Sequence, residues 1–224
     1  MIGGASILQV YHSMAIKQCR KGEEMQKVIT GVLIGIMSIV LIGCGATTKT
    51  IKQETQNLRT DVFTEMKNDD SPTQDFVTLA IKATIKTPLE GYYLFESKDS
   101  MFGKPGYPFV INIDGQAAAW KVNGQKEILP GYDKDGMTSH DPEAGEGIKY
   151  VLEKKIQLRA GTHKVFLGLS NDDYFKELEI KLQEGKTYTL EFKPIYKYKI
   201  QPTRIPSFKK GIKEYEAYLN NMHI

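Results

Sequence analysis

The stretch "LEIKLQEGKTYTLEF", residues 178–192, decides the fold. Leu178, Ile180 and Leu182 alternate with Glu179 and Lys181. Beyond the turn "QEGKT", Tyr188, Leu190 and Phe192 alternate with Thr189 and Glu191. A period of two is what a strand with one buried face requires, because successive side chains point to opposite faces.

Upstream the same period recurs. "FVTLAIKATIK" places Val77, Leu79, Ile81, Ala83 and Ile85 on one face. "FVINIDG" does so with Phe109, Ile111 and Ile113, and Asp114-Gly115 reads as a hairpin turn. "AAAWKVNG" aligns Ala118, Trp120 and Val122 and stops at Asn123-Gly124, a second turn signal. "IKYVLEKKIQL" aligns Ile148, Tyr150, Leu152, Ile156 and Leu158, and "THKVFLGL" aligns Val165, Leu167 and Leu169. Seven or eight short strands with turns between them predict an all-β chain. The expected fold is an antiparallel β-sandwich of immunoglobulin or transthyretin type over residues 76–198, with one wet face per sheet.

Between the strands, residues 129–147, "LPGYDKDGMTSHDPEAGEG", carry too many Gly and Pro for regular structure and read as a long loop. At the C-terminus, Pro194, Pro202 and Pro206 argue against a central strand. Ser207 could cap a short helix over Phe208–Leu219, so residues 199–224 read as a basic tail, helical or irregular. Residues 193–224 hold seven basic and two acidic side chains. Their lysines and aromatics suit anionic headgroups or glycans, or simply discourage edge-to-edge pairing.

The N-terminus is of a different kind. Val28–Gly43 is sixteen residues without a charge, preceded by Lys27. At about 1.5 Å per residue it covers about 24 Å, short of the ~30 Å hydrocarbon core, and has the build of a secretory signal. It closes on "LIGC", which resembles the bacterial lipobox: Leu41, Ile42 and Gly43 before the cleaved bond, Cys44 after it. The resemblance implies a diacylglyceryl group on the Cys44 thiol, cleavage before Cys44 and often acylation (a palmitate-type chain) of the new amine. Counting on through Thr48 gives 21 uncharged residues, so a signal-anchor helix with an incidental Cys is the alternative. Glu23 and Glu24 sit where a basic n-region belongs, and "KGEE" can encode a ribosome-binding sequence ahead of Met25. The expected division is therefore 1–24 an untranslated upstream extension, 25–43 a signal peptide, and 44–75 a lipid anchor with a polar tether. That tether is either a flexible linker or a frayed helix from Ile51 to Met66.

Composition bounds what the chain can do. Of 224 residues, 41% are hydrophobic and 25% charged, the balance of a folded soluble domain. A net charge of +3 does not point to nucleic acid. Cys19 and Cys44 are the two cysteines, so residues 45–224 have neither a disulfide nor a thiolate metal site.

The segment 156–192 resembles PEGA-type and related transthyretin-like surface modules at Gly161, His163, Val165, Leu167, Tyr174, Gly185 and Tyr188. "VINIDGQAAAW" fits the opening strand and turn of such modules, while the Pro-Glu-Gly-Ala of the name is absent. The resemblance implies a non-catalytic structural or binding module of bacterial envelopes.

Candidate sites are few. Asp133, Asp135, His140 and Asp141 in the long loop are a possible ligand site. Asp-x-Asp-Gly begins like a calcium loop but lacks the third Asp and the distal Glu, which favours a solvated acidic loop over a metal site. His163 shares a face with Val165 and Leu167 and reads as a hydrogen-bonded rim or core residue. No nucleophile setting of the Gly-x-Ser-x-Gly kind occurs. Neither an enzyme activity nor a cofactor is expected. The expectation is a lipid-anchored envelope protein, in the outer membrane of a Gram-negative cell because Gly45 is not Asp. It would act as a structural or protein-interaction module with an envelope partner, or as a binder of a small ligand, glycan or metal.

Overall fold

In a computed structural model the residues described are 43–67, 75–197 and 206–224, with side chains from residue 49 onward. The chain divides into Met1–Ala46 and Thr47–Ile224, and the fold below is that of the second unit. Among the described residues, helix α1 (Gly43–Glu54) is followed by eleven strands. They are β1 (Phe63–Glu65), β2 (Phe76–Thr87), β3 (Tyr107–Ile113), β4 (Gln116–Val122), β5 (Gln125–Leu129) and β6 (Gly145–Arg159). After these come β7 (Gly161–Leu169), β8 (Tyr174–Leu182), β9 (Thr187–Tyr196), β10 (Ile212–Leu219) and β11 (Met222–His223). One sheet has the order β1-β6-β2-β9-β10-β11, with β5 also on β6; the other is β4-β3-β7-β8. Pairing is antiparallel except between β2 and β9, which run parallel. The protein is an all-β sandwich, as the alternation predicts.

The predicted inward faces are the buried ones. Val77 through Ile85 on β2, Phe109, Ile111 and Ile113 on β3, and Leu152, Ile156 and Leu158 on β6 meet Val165, Leu167, Leu190 and Phe192 in one core. Each such side chain withdrawn from water contributes about 1.5–3 kcal/mol. The two arms of residues 178–192 do not pair with each other. β8 bonds β7 in one sheet and β9 bonds β2 and β10 in the other. They alternate so cleanly because each faces the same core from opposite layers.

One turn signal holds and three other expectations are corrected. Asp114-Gly115 is a hairpin, with both residues at positive φ (48° and 93°) between β3 and β4. Asn123-Gly124 is not a hairpin, because β4 and β5 lie in different sheets. Gly124 is needed for space: a Cβ there would stand 2.2 Å from Ile148 and 2.6 Å from Tyr150.

Part of the predicted tether, residues 44–75, belongs to the sandwich. Ile51 of α1 is buried against Val110 and Phe166 on the outer face of the four-stranded sheet, with Phe175 packed alongside. β1 pairs β6, and Gln116 binds the Val62 and Phe63 amides through Oε1 and the Phe63 carbonyl through Nε2. The helix ends at Glu54 rather than running to Met66.

The basic tail and its helix over Phe208–Leu219 are likewise overturned. Ser207–Lys210 is a single 3-10 turn that buries Phe208, and Ile212–Leu219 is a strand on β9. The exposed edge of β10 is met by β8 side chains: Tyr215 donates its amide to the Tyr174 hydroxyl, and Lys176 donates to the Tyr215 carbonyl. Residues 1–24, most of the 25–43 signal with Leu41 and Ile42, and 198–205 lie outside the described residues.

Strand directions give the sandwich two unlike ends. One, the turn end, carries Asp114-Gly115, the β6–β7 link at Ala160 and the 183–186 turn. The other, the loop end, carries 88–106, 130–144, Ser170–Asp172 and the Ser207–Lys210 turn.

Candidate functional site

Of the predicted lipobox, Gly43 and Cys44 fall within the backbone of α1, and their side chains are outside the described set. The predicted ligand loop sits between β5 and β6, shorter than expected because Leu129 and Gly145 are already paired. Asp133 accepts from the amides of Asp135 (3.0 Å) and Met137 (2.8 Å), and Asp141 accepts from the Glu143 amide. These carboxylates therefore shape their own turns. Asp133, Asp135, His140 and Asp141 do not converge: among the described residues no group of three or more His, Cys, Asp or Glu is placed to hold a metal.

The base of that loop holds a ring of charges around a buried lysine that the alternation conceals. Lys86 follows the inward Ile85 and therefore points to the outer face, where a wet lysine is expected. Its side chain is instead 0% exposed, covered by Phe208, whose ring centre lies 5.1 Å from Nζ. Nζ donates to the carbonyls of Glu143 (2.7 Å) and Gly145 (3.0 Å), and it faces Glu127 Oε2 at 3.0 Å through charge rather than a directed hydrogen bond. Lys149 closes the ring on Glu143 (2.7 Å) and Glu127 (3.7 Å). Burial works against the Lys149 charge, but these two carboxylates outweigh it and hold its ammonium above the usual lysine value. Tyr196 donates to Glu143 and accepts from the Lys86 amide. Burial, then the Glu143 carboxylate, pushes its phenol far up.

Beside this ring the loop end is rich in tyrosine. Tyr107 donates to Asp172, Tyr150 to the Lys104 carbonyl (2.7 Å) and Tyr215 to the Thr84 carbonyl (2.7 Å). Burial raises the Asp172 carboxyl above its ordinary value, with the Tyr107 hydrogen bond pulling the other way. Each of these three hydroxyls has an acceptor, so the arrangement ties the loops to the strand ends.

Two features face solvent. A groove of about 670 Å³ runs between the end of α1 and the outer face of the four-stranded sheet, lined among others by Gln53, Glu54, Leu58, Asn112, Lys164 and Glu177. At the loop end, the 88–106 segment is built tightly: Glu96 accepts from the Gly91 amide and the Ser100 hydroxyl, and Tyr93 donates to the Lys209 carbonyl. It nevertheless presents Leu94 and Phe95 at 91% and 94% exposure. Neither signal was visible in sequence, since Leu94-Phe95 resembles any apolar pair until its burial is known.

His163 is the hydrogen-bonded rim or core residue expected, at 7% exposure. Nδ1 faces Asp114 at 2.7 Å and Nε2 the Arg159 carbonyl at 2.9 Å, tying the β6–β7 link to the β3–β4 hairpin. Among the described residues no helix is long and apolar enough to cross a membrane. No protein-family model, curated protein or solved structure matches the chain.

Proposed function

We propose that this chain is a bacterial envelope lipoprotein, held to the membrane by lipid on Cys44, whose β-sandwich acts as a non-catalytic interaction module for another envelope component. One observation carries the proposal: the charge-free run Val28–Gly43 ends on Leu41-Ile42-Gly43-Cys44, the residue types that lipid transfer and cleavage require. The polar groups of the loop end, paired with one another, support a binding rather than a catalytic role. The predicted kinship with PEGA-type modules belongs to the same proposal. An intact-mass spectrum of the full chain expressed in bacteria tests it. A mass beginning at Cys44 plus acyl chains is expected, and the Cys44→Ala protein should stay unprocessed. Processing and membrane retention of Cys44→Ala would overturn the anchor.

A second role, small-ligand or glycan binding, is favoured by the 670 Å³ groove beside Asn112 and Lys164. Thermal stabilisation by soluble envelope oligosaccharides, lost on Lys164→Glu, would support it over the protein-interaction role.

A further inference from the structure

We infer that the loop end of the sandwich is a second membrane contact, with Leu94 and Phe95 seated at the lipid–water interface; this rests on the lipid anchor at Cys44. The direction of the N-terminal segment carries the inference. Along β3, Ile51 packs on Val110, Glu54 meets Asn112 through its carbonyl and carboxylate, and Leu58 and Arg59 donate their amides to Gly115. The segment therefore runs parallel to β3, and its upstream end points toward Tyr107, where the 88–106 loop joins the strand.

Distances along the chain then limit the geometry. Ile51 also lies against Gly168, one residue from the loop end of β7. Thr47, one helical turn or about 6 Å further up, is level with the strand ends. Cys44 is three residues before Thr47, so chain length alone keeps it within about 11 Å of that point. A lipid on Cys44 thus holds the loop end, and not the turn end, close to the bilayer.

The apolar surface agrees with that placement. Among the described residues, Leu94, Phe95, Ile128, Tyr132 and Met137 are the strongly exposed large apolar side chains of the loop end, on two loops and the end of β5. The turn end presents Leu58, while Met222 and Ile224 lie on and beside the terminal strand. Among the described residues, Leu94 and Phe95, adjacent side chains above 90% exposure on a loop fixed by Glu96, Ser100 and Tyr93, are not covered by the domain. A loop held by these bonds presents them at a reduced ordering cost on contact. Lysines and carboxylates are mixed at this end (Lys98 and Lys209 beside Glu90, Glu96 and Asp99), so apolar insertion rather than attraction to anionic headgroups is the mode.

The test is tryptophan fluorescence of the full lipidated chain in vesicles of phosphatidylethanolamine and phosphatidylglycerol, after a mass spectrum of the same sample. Phe95→Trp and Met222→Trp are each read as the difference from the parent, whose Trp120 is buried. The expected result is a blue-shifted Trp at 95, quenched by headgroup-proximal spin-labelled lipid, with acrylamide quenching at least about halved relative to the Cys44→Ala form in solution. Trp at 222 should stay open to acrylamide. Lipidated protein with equal acrylamide access at 95 and 222 overturns the docking and leaves the anchor standing. A Trp at 95 that is shielded but untouched by spin-labelled lipid also overturns it, because copies of the chain would then be covering the loop. An unmodified Cys44 overturns the anchor and the docking together.

Discussion

The two ends of the sandwich close its strands by different means. At the turn end, links of a few residues do the work: Asp114 and Gly115 at positive φ, and Ala160 between β6 and β7, are tied through Asp114, which meets His163 and the Lys164 amide. At the loop end, the long connections 88–106 and 130–144 carry no helix or strand beyond one Tyr132–Thr138 bridge and are held by buried Lys86, Tyr107 and Tyr196 with partly buried Glu127 and Glu143. Backbone geometry suffices where the chain turns at once. Where it wanders for fifteen residues, loop-closure entropy has to be offset by interactions made elsewhere in the sequence. Such an end can display exposed apolar loops without collapsing onto itself.

The largest expected effect breaks the loop end. Lys86→Ala removes the cation facing Glu127 and the two carbonyls of residues 143 and 145, leaving buried acceptors without a donor. A loss of about 3–5 kcal/mol is expected. Urea unfolding should show it, together with faster amide exchange over 130–147 than over β7. A loss below about 1 kcal/mol would mean that the ring does not hold this end.

Next comes Ile51→Ala, at about 2–3 kcal/mol, since Ile51 is 2% exposed but its cluster is small. The same variant should free α1 from the sheet, seen as exchange of the Glu54 to Arg59 amides. At the turn end, Asp114→Ala is expected to cost only about 1–2 kcal/mol, through the lost contacts to His163 and the Lys164 amide. Should Asp114→Ala cost as much as Lys86→Ala in the same urea series, the contrast between the ends would fail.

How far the sequence reveals this depends on what each residue answers to. β2, β3, β6, β7, β8 and β9 are legible because their alternation is the direct imprint of a single core. β10 is not, and the reason is a register shift between Ile212 and Glu214. The bulge puts Ile212 and Tyr215, three apart, on the same buried side, and three apart is also helical spacing. β1 is three residues long, too short to show a period. Lys86 occupies an outward position that only Phe208, 122 positions away in sequence, turns into an inside. The groove and the Leu94-Phe95 tip depend on what packs nearby, which no local pattern records. Asp133 and Asp141 read in sequence as part of a solvated acidic loop with a possible ligand role, and their bonds to loop amides are what a local pattern does not record.

The smallest effects come from pH, and they separate two carboxylates by sign. Glu65 on β1 accepts from Lys154 and from the Trp120 indole (3.0 Å), and the Lys154 bond, against some desolvation, holds its carboxyl below the usual glutamate value. A depressed acid stabilises the fold above its unfolded pKa, and that contribution fades as pH falls through the folded one. Asp172 at the loop end is the reverse, raised chiefly by burial, so its charge opposes folding at neutral pH. That opposition is relieved as pH falls through its raised value. Acidification should therefore first stabilise through Asp172 and then destabilise through Glu65. Asp172→Asn should raise stability at neutral pH and remove the first rise. Glu65→Gln should lower it by less than about 1 kcal/mol, because the Glu65 side chain is 44% exposed and its ion pair screened, and should flatten the acid limb. Urea midpoints of both variants and the parent, taken from about pH 7 to about pH 3, read both signs in one series. A parent curve that only falls on acidification, with Asp172→Asn parallel to it, would place Asp172 with the solvated carboxylates and remove the electrostatic half of the contrast between the ends.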